Sequence, residues 1–546
     1  MKKNLLKIKR ISFVCASLMM LTFGLVNGQT RVTVEPGFNT LNDAVAANPG
    51  DTLLLLRGGS YVVDQEVEIT VPTVIIGEAG PEEDPPAVIS LFADPGEAAG
   101  QYMVALSADF TLMNIGVQGM TFDGQQANGF IRVLAEDLTV RIDGCVYQSV
   151  RFQINTGGNN GLHLIQENNI YFNQGGPIWD NSVGYGPIFG GDNHIVENTN
   201  NTYFVGGRIF GNAGSGPNGG QFMNHNSYIA TWGDQFFPVT DKDFELKNSL
   251  FYDAEIRGYV GVRTNENQDT IWAGDFIDWA YGEDSMSGNW CVYPHALDST
   301  DGRLVNVVNN LQMLSPTVQA FHEANNVTPM TFTAASVWDL AEEFDWTIAN
   351  NWLQENGTEI DPGIDLEDGV YTTSFEQRIA RMDTDLDNVE IAWRPGGEER
   401  GVWIWPLPFD LKPTNEEIWN LGDDGYPLGD LNWFGEEVVQ AWKDGLPNPL
   451  LTSSLQPEKF DFKLYNYPDP FSSSTMIKYE LPNSSHVTIK IINISGIEVA
   501  TLIDRNQVAG THQLEFNSDS LSPGMYFCKI VADNNLTQVH KMSVVK

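Results

Sequence analysis

The chain has 546 residues, 18% of them charged, and a formal net charge of −41. This length exceeds what one ordinary hydrophobic core supports, so two or more folded units are expected. Residues 29–455 hold 17 basic against 62 acidic residues. That excess argues against nucleic acid and anionic membrane surfaces as partners, because both require a basic footprint.

The first 28 residues have the pattern of an export signal. Five basic residues without an acid come first, an apolar run follows from Ile11 to Val26, and Asn27-Gly28 offers a small-residue cleavage site. The apolar run is short for a membrane span, and no later segment is long and apolar enough for one. We therefore expect residues 1–28 to be a signal peptide, and the mature chain to be exported without a transmembrane segment.

Three cysteines follow this signal: Cys145, Cys291 and Cys528. An exported protein that depends on disulfides usually carries more cysteines, in an even number. A single Cys145–Cys291 bridge is compatible with the sequence, but buried free thiols are favoured.

The segment from Arg31 to Tyr61 combines two strand patterns with one helix pattern. Strands are predicted at 31–34 and 52–56, and an amphipathic helix capped by Thr40 is predicted at 40–47. Such a helix would cover the first edge of a stacked sheet. The whole pattern resembles the opening of pectate-lyase-like β-helix proteins. The resemblance implies an all-β fold, a right-handed parallel β-helix, which we place at residues 29–449.

A repeat in the following segment agrees with this fold. An Asn or Gly followed within about three residues by an aromatic or aliphatic residue recurs mostly every 23–25 residues or so, which suits a rung of three short strands. Asn and Gly tolerate the positive φ of a tight turn, and the residue that follows would point inward and stack on its equivalents. Asn- and Gly-rich loops of a β-sandwich are the alternative. The repeat instances begin at Gly119, Gly144, Asn168, Asn200, Asn226, Asn248, Gly274 and Asn309.

Beyond residue 315 the pattern changes. Ala334 to Gln354 carries apolar residues at helical spacing, and a helix is predicted there. The stretch 393–442 is rich in Trp, Pro and Gly, and its part from Asp424 to Phe434 resembles the closing segment of secreted β-helix proteins. Its tryptophans could bind sugar rings, but residues of this kind more often belong to a core.

The last part of the chain carries a second family resemblance. After a short polar linker at 450–460, the motif Asn466-Tyr467-Pro468-Asp469-Pro470-Phe471 begins a series of alternating strand patterns that ends at Lys546. Residues 461–546 resemble the type A sorting domain of the type IX secretion system. The resemblance implies a small immunoglobulin-like β-sandwich, the outer-membrane translocon as partner, and a secreted or cell-surface location.

Candidate catalytic residues come from a cluster of basic side chains in an otherwise acidic domain. Lys242, Lys247, Arg257 and Arg263 lie within 22 residues. The cluster is similar to that of chondroitinase-B-like and alginate lyases. The resemblance implies Lys242 as the base and Arg263 as its assistant one rung away, with Ca²⁺ neutralising a uronic carboxylate. Lys247 and Arg257 would then contact the substrate.

The match departs from that family at several positions. Asp243 follows Lys242 where Ser is preferred, Thr264 and Asn265 replace His-Gly, and the expected calcium ligands are Gln235 and Phe237. Solvated charge on the face of a rung is the structural alternative. The acidic strings 361–368 and 383–388 could hold Ca²⁺, although neither has the spacing of an EF-hand loop.

Two functions remain open at this stage. The β-helix either binds or cleaves extracellular polysaccharide, as a uronate lyase if it is an enzyme, or serves as a rigid spacer in a surface or adhesion protein without catalysis.

Overall fold

The computed structural model describes most of the chain outside the predicted signal peptide. The described residues are 30–81, 84–94, 101–121, 124–174, 185–206, 211–212, 219–231, 237–239, 243–254, 263–264, 270–271, 292–294, 304–325, 347–353, 360–366, 370–371, 393, 402–453, 464–481, 484–493, 498–518, 521–532 and 536–545. Two compact units result, Met1–Leu446 and Pro447–Lys546. The predicted signal peptide lies outside the described residues.

The first unit is a parallel β-helix built on three parallel sheets, here called sheets 1, 2 and 3. Sheet 1 consists of Arg31–Val34, Thr52–Leu55, Thr73–Gly77, Phe110–Met113, Thr139–Asp143, His163–Glu167, Ile195–Thr199, Gly220–Asn224, Phe244–Lys247, Val305–Val308 and Thr347–Ala349. Sheet 2 consists of Gly37–Phe38, Ser60–Val63, Ala87–Leu91, Ile115–Gln118, Val146–Gln148, Ile170–Gln174, Thr202–Gly206, Ser227–Ile229, Leu250–Tyr252, Leu311–Met313 and Trp352–Leu353. Sheet 3 consists of Val67–Ile69, Tyr102–Leu106, Gly129–Val133, Phe152–Asn155, Tyr185–Phe189 and Gly211–Asn212. The predicted parallel β-helix is confirmed.

Two further strand pairs lie outside these sheets. Phe237–Val239 pairs in parallel with Val292–Pro294, and Arg263–Thr264 pairs antiparallel with Thr270–Ile271. The described helices of this unit are Thr40–Ala47, Pro316–Ala324 and Glu436–Lys443, with short 3-10 turns at Glu416–Ile418 and Leu431–Phe434. Among the helices in the described part of the chain, none combines the length and the apolar character that a membrane crossing requires.

The helix Thr40–Ala47 forms where it was predicted and buries Leu41 against the core. The expected cap was wrong: Thr40 is the first helical residue, and Asn39 occupies the cap position in the left-handed conformation. The side chain of Asn39 bonds instead to Asp64 of the next rung, whose backbone N–H it accepts and whose carboxylate it donates to. The start of the helix is therefore tied to the coil rather than capped locally.

From Asn114 onward, each corner between sheet 1 and sheet 2 consists of a residue with positive φ and then, in most rungs, a polar residue. Asn168, Asn200, Asn248 and Asn309 have φ between 53° and 57°, which confirms the predicted turn positions. In the rung of Asn226 the residue with positive φ is His225 instead. The repeat instance predicted to begin at Gly119 was wrong, because the positive-φ corner of that rung is Asn114.

The second corner position forms a ladder of side-chain hydrogen bonds along the coil. The backbone N–H of Asn169 donates to the Asn201 side chain at 2.9 Å, and that of Asn201 donates to Asn226 at 2.9 Å. Ser249 takes the next place, and its backbone N–H donates to Asn310. These groups are buried, so each bond satisfies a backbone donor that would otherwise be lost from water.

Inward-facing rings of sheet 2 stack from rung to rung, as the repeat predicted. The ring centroids of Tyr147 and Tyr171 lie 5.1 Å apart, those of Tyr171 and Tyr203 4.7 Å, those of Tyr203 and Tyr228 5.2 Å, and those of Tyr228 and Phe251 4.5 Å. These rings are at most 3% exposed and form the centre of the core. Stacking of this kind adds about 0.5–1.5 kcal/mol per pair beyond area burial.

The helix predicted at 334–354 is wrong for its described part. Thr347–Ala349 and Trp352–Leu353 are strands that continue sheets 1 and 2, with Asn350 at the positive-φ corner between them. Residues 334–346 lie outside the described residues.

Residues 402–446, here called the covering segment, lie on the outer side of sheet 2. The backbone N–H of Ile404 donates to the side chain of Gln148, and the carbonyl of Ile404 accepts from it. Gly429 donates its N–H to the Asn248 carbonyl at 2.8 Å. Trp433 of this segment and Trp393 are each 3% exposed. These two tryptophans belong to the core, which is the interpretation that the sequence favoured.

The second unit is an antiparallel β-sandwich. One sheet contains Tyr465–Tyr467, Ser474–Leu481 and Gly510–Asn517, and the other contains Glu498–Gln507, Ser485–Asn493, Gly524–Ala532 and Leu536–Val544. Side chains of both sheets share one core cluster. The predicted small sandwich is confirmed, while the expected linker begins with a helix, Pro449–Ser453, and its part from 454 onward lies outside the described residues.

Candidate functional site

The outward side chains of sheet 1, here called the outer face, form rows across successive rungs. Val140 and Ile142 point into the core, so Arg141 and Asp143 between and beside them point out. The strand register fixes the neighbours of each side chain. The middle row is Arg141, Ile165, Glu197, Phe222, Glu245 and Asn306, and the row nearer the corner is Asp143, Glu167, Thr199, Asn224, Lys247 and Val308.

The outer sides of sheets 1 and 2 differ in exposure. On sheet 2, Phe172 and Phe204 are at most 1% exposed, because Trp393 and Phe409 pack on them. On sheet 1, the side chain of Glu197 is 48% exposed and that of His163 is 35% exposed. Among the described residues, the outer face of sheet 1 is thus open to solvent at these side chains, whereas this part of the outer side of sheet 2 is used for folding.

Arg141 forms the centre of a charged group on two neighbouring strands. Its guanidinium contacts Asp143 at 3.2 Å on its own strand and Glu167 on the next. Asn168 donates its side-chain N–H to Asp143 at 2.8 Å. Burial raises the pKa of the Glu167 carboxyl, and the charge of Arg141 counteracts part of that rise. The group thus holds one carboxyl that takes up a proton more readily than a solvated glutamate.

Two further ion pairs continue this pattern along the coil. His163 Nε2 lies 2.8 Å from Glu197, and Lys247 Nζ lies 2.9 Å from Glu245. With Asp143, Glu167, Glu197 and Glu245 against Arg141 and Lys247, the outer face carries more acid than base in the described rungs.

The predicted catalytic residues are only partly placed by the structure. Lys247 lies on the outer face, one quarter exposed. Arg263 lies in the two-residue strand that pairs with Thr270–Ile271, and the rung that follows Phe244–Lys247 in sheet 1 begins at Val305. The register therefore does not put Arg263 on the next rung, which the lyase resemblance assumed. Lys242 and Arg257 lie outside the described residues.

A buried histidine joins a corner to the covering segment. His225, with a fully buried side chain, lies 2.7 Å from the Asp424 carboxylate through Nε2 and 3.0 Å from the Pro427 carbonyl through Nδ1. Trp442 Nε1 also donates to Asp424, at 2.7 Å. Burial of Asp424 opposes its ionisation, but the bonds and charge of His225 and the Trp442 bond outweigh it and lower the pKa of Asp424 to about 2.

Two buried carboxyls lie close to the corners and show the opposite shift. Burial raises the pKa of Asp430 to about 7, although Thr202 and Asn432 donate to it. Burial raises the pKa of Asp253 to about 6, against the bonds that it accepts from Ser315 and Tyr371. Neither carboxyl is open to a substrate, since both side chains are buried.

His225, Asp253 and Asp430 were not among the predicted site residues. Asp430 belongs to the string 424–434, which resembles a closing segment. That resemblance indicates a structural role for the string but does not indicate that Asp430 is a buried acid. His225 replaces the Asn or Gly that most other rungs carry at this corner.

Thiol and metal chemistry find little support in the described residues. Cys145 and Cys528 are buried and free, and burial raises the pKa of both thiols to about 12. Cys291 lies outside the described residues. Within the described ranges no three His, Cys, Asp or Glu side chains are grouped so as to hold a metal ion. Asp361 and Asp365 of the first acidic string fall in these ranges, while 383–388 does not.

Comparison with known proteins explains the C-terminal unit. Residues 466–546 match the family model described as a secretion system C-terminal sorting domain. The chain carries a type IX secretion sorting domain. It is therefore a secreted, cell-surface protein, and this domain implies an interaction with the secretion system.

Comparison with solved structures yields only a partial match. The PL6 family alginate lyase AlyGC aligns with a TM-score of 0.27 and 14% sequence identity, over 42% of this chain and 37% of that enzyme. No activity of this chain follows from so partial a likeness. No curated protein matches the sequence.

Proposed function

We propose that the β-helix binds or processes extracellular polysaccharide on the outer face of sheet 1. The observation that carries this proposal is the exposure of that face. Its charged and apolar side chains stand in register over consecutive rungs. The outer side of sheet 2, in contrast, is covered by Trp393 and the covering segment. A flat face with repeating side chains suits a repeating polymer, and the sorting domain delivers the protein to the place where such polymers occur.

If the protein is an enzyme, we propose lyase chemistry on a uronate glycan with Lys242 as base and Arg263 as assistant. Lys247 and Arg257 would then contact the substrate, and Ca²⁺ would neutralise the uronic carboxylate. The concentration of four basic residues in a strongly acidic domain supports this proposal. Because Arg263 does not follow the sheet register, this proposal requires that the chain between the two rungs brings Arg263 to the substrate.

The test is incubation of the purified full-length protein with alginate, polygalacturonate and chondroitin, with and without Ca²⁺. Release of unsaturated uronate ends that disappears in both Lys242→Ala and Arg263→Ala would support the lyase. Glycan binding without cleavage would support a polysaccharide-binding protein and would contradict the lyase activity. If none of these polymers and no neutral glycan binds, polysaccharide recognition by this domain is wrong.

The second candidate is a non-catalytic scaffold that holds other surface groups away from the cell. The continuous interior favours it: the strands of sheet 1 extend over eleven rungs, about 48 Å at ordinary strand spacing. Stacked rings and the corner ladder both tie each rung to the next. A protein that binds no glycan, yet is required for cell attachment to a surface, would fit this role.

A further inference from the structure

Over the five strands from Thr139–Asp143 to Phe244–Lys247, the middle row of the outer face alternates in character from rung to rung. Arg141 is followed by Ile165 on the next strand, then by Glu197, then by Phe222, then by Glu245. Charged and apolar side chains therefore each recur after two strands. Two strand spacings correspond to about 9.6 Å along the coil.

This period matches one class of polymer. In an extended chain of β-1,4-linked hexoses each ring is turned over relative to the last, so the chain repeats after two sugars, over nearly the distance of two strand spacings. An apolar side chain can then meet the C–H face of every second ring. A chain of α-1,4-linked glucose curves away and cannot keep this register.

Charge on the outer face selects within that class. Glu197 and Glu245 of the middle row are joined by Asp143 and Glu167 of the row beside it, and the Arg and Lys side chains on the outer face of these rungs, Arg141 and Lys247, are already paired with acids. The residues from 29 to 455 add a net charge of −45. A polymer with a carboxylate or sulfate on each repeat would be repelled here, whereas carboxylates readily accept hydrogen bonds from neutral hydroxyls.

We infer that the outer face binds an uncharged, extended β-1,4-linked polysaccharide that lies along the coil, with Ile165 and Phe222 against alternate sugar rings. This rests on the proposed binding of polysaccharide by the outer face and names the substrate class; it does not extend to the lyase alternative, whose uronate substrate this face would repel. Glu197 lies between the two apolar contacts, where it accepts hydroxyl hydrogen bonds.

The experiment measures binding of the full-length protein to four probes by titration calorimetry: cellohexaose, mannohexaose of β-1,4 linkage, maltohexaose and alginate hexamer. We expect the two β-1,4 neutral hexamers to bind, with maltohexaose and alginate at least tenfold weaker. Phe222→Ala should weaken cellohexaose binding about tenfold, as expected for the loss of one aromatic contact. Phe222→Leu, which keeps an apolar side chain, covers the case in which the alanine variant does not fold.

Phe38→Ala serves as the matched control. It removes a ring that is 53% exposed on the strand Gly37–Phe38 of sheet 2, and it should leave binding unchanged.

The outcomes separate the two levels of the proposal. Binding of alginate alone, binding of maltohexaose as tight as that of cellohexaose, or no effect of either Phe222 variant would overturn the inference and leave polysaccharide binding standing. Absence of binding to all four probes, together with absence of binding to polygalacturonate and chondroitin, would overturn both.

Discussion

His225 lies 2.7 Å from the carboxylate of Asp424, almost two hundred residues further along the chain. The pair joins a corner of the coil to the covering segment. Loss of Asp424 would leave the buried imidazole of His225 without this partner, and an unpaired buried polar group typically costs about 1–3 kcal/mol. We expect Asp424→Asn to destabilise the first unit by somewhat less, because the amide can still accept a bond. Denaturant unfolding followed by tryptophan fluorescence measures the loss.

His225→Asn provides the matched control for backbone conformation. Asn occupies the same positive-φ corner at Asn200 and Asn248, so the substitution keeps the turn while it removes the bonds to Asp424 and Pro427 and the ring contact with Trp442. The single variants should each lose more than half of what the double variant loses. Additive losses would show that the two residues act independently and that the pair does not fasten the segment.

This pair also gives a dependence on acid. The folded-state pKa of Asp424, about 2, lies below its ordinary value of 3.8. Its contribution is therefore fully present above about pH 4 and is lost as the pH falls through about 2. The difference in unfolding free energy between the wild type and Asp424→Asn should shrink over this range. A difference that stays constant from pH 5 to pH 2 would contradict it.

Asp430 should act in the opposite direction. Its folded-state pKa of about 7 lies above the ordinary 3.8, so the folded protein binds more protons than the unfolded chain between these values. Stability due to this group therefore falls as the pH rises from about 4 to about 7, and levels off above that. Asp430→Asn removes the titration and keeps the shape. The melting temperature of the wild type minus that of the variant should fall steadily from pH 4 to pH 7.

Asp253 contributes a smaller change in the same direction, since its pKa is raised to about 6. Because this contribution is common to the wild type and Asp430→Asn, it cancels in the difference. Equal pH profiles of the two proteins would show that the Asp430 carboxyl does not titrate in this window.

The corner and ring pattern was predictable from the sequence because it depends on single residues. Asn168, Asn200 and Asn248 stand where only a residue tolerant of positive φ fits. The large aromatic rings that follow them mark the side of each strand that faces the interior of the coil. The prediction failed at two corners for two reasons. At one corner His225 stands in place of Asn. At the other the corner residue is Asn350, but it lies inside a stretch whose apolar residues fall at helical spacing.

The candidate site was less predictable for a different reason. Neighbours on the outer face are set by strand register, and register depends on how many residues each rung inserts. Phe244 pairs with Val305, sixty-one residues later, so the local separation of Lys242 and Arg263 carried no information about rungs. The alternation of Ile165 and Phe222 with Glu197 exists only after folding, since these residues lie 25 or more positions apart.

The stacked rings should carry a large share of the stability of the coil. Tyr203 lies between Tyr171 and Tyr228, and Asn198 donates to its hydroxyl at 2.8 Å. Tyr203→Leu removes both ring contacts and leaves the side-chain N–H of Asn198 without this acceptor, so a loss of about 3–5 kcal/mol is expected. Phe38→Leu, at a ring that is 53% exposed, should cost less than about 1 kcal/mol. Chemical denaturation of both variants checks the contrast.

The corner ladder allows a substitution that the chain itself contains. Asn201 accepts from the Asn169 backbone and donates to the Gln166 carbonyl, while Ser249 fills the equivalent place two rungs on. Asn201→Ser should therefore cost about 1–2 kcal/mol, and Asn201→Leu about 3 kcal/mol or more, because it leaves buried backbone groups unpaired. Equal losses in the two variants would mean that side-chain volume, and not the hydrogen bonds, decides the stability of the corner.

Asn466 should be essential to the fold of the sorting domain. Its side chain, 6% exposed, donates to the Pro468 carbonyl and the Thr475 hydroxyl and lies 3.0 Å from His540 Nε2 on the last strand. Asn466→Ala removes all three contacts, so we expect this unit to lose about 2–3 kcal/mol. Less protein should then reach the cell surface, measured by protease access on intact cells. Tyr467→Ala, at a side chain that is 75% exposed, should leave the unfolding transition of this unit within about 0.5 kcal/mol of the wild type. An Asn466→Ala protein with an unchanged transition would show that these contacts do not hold the motif on the last strand.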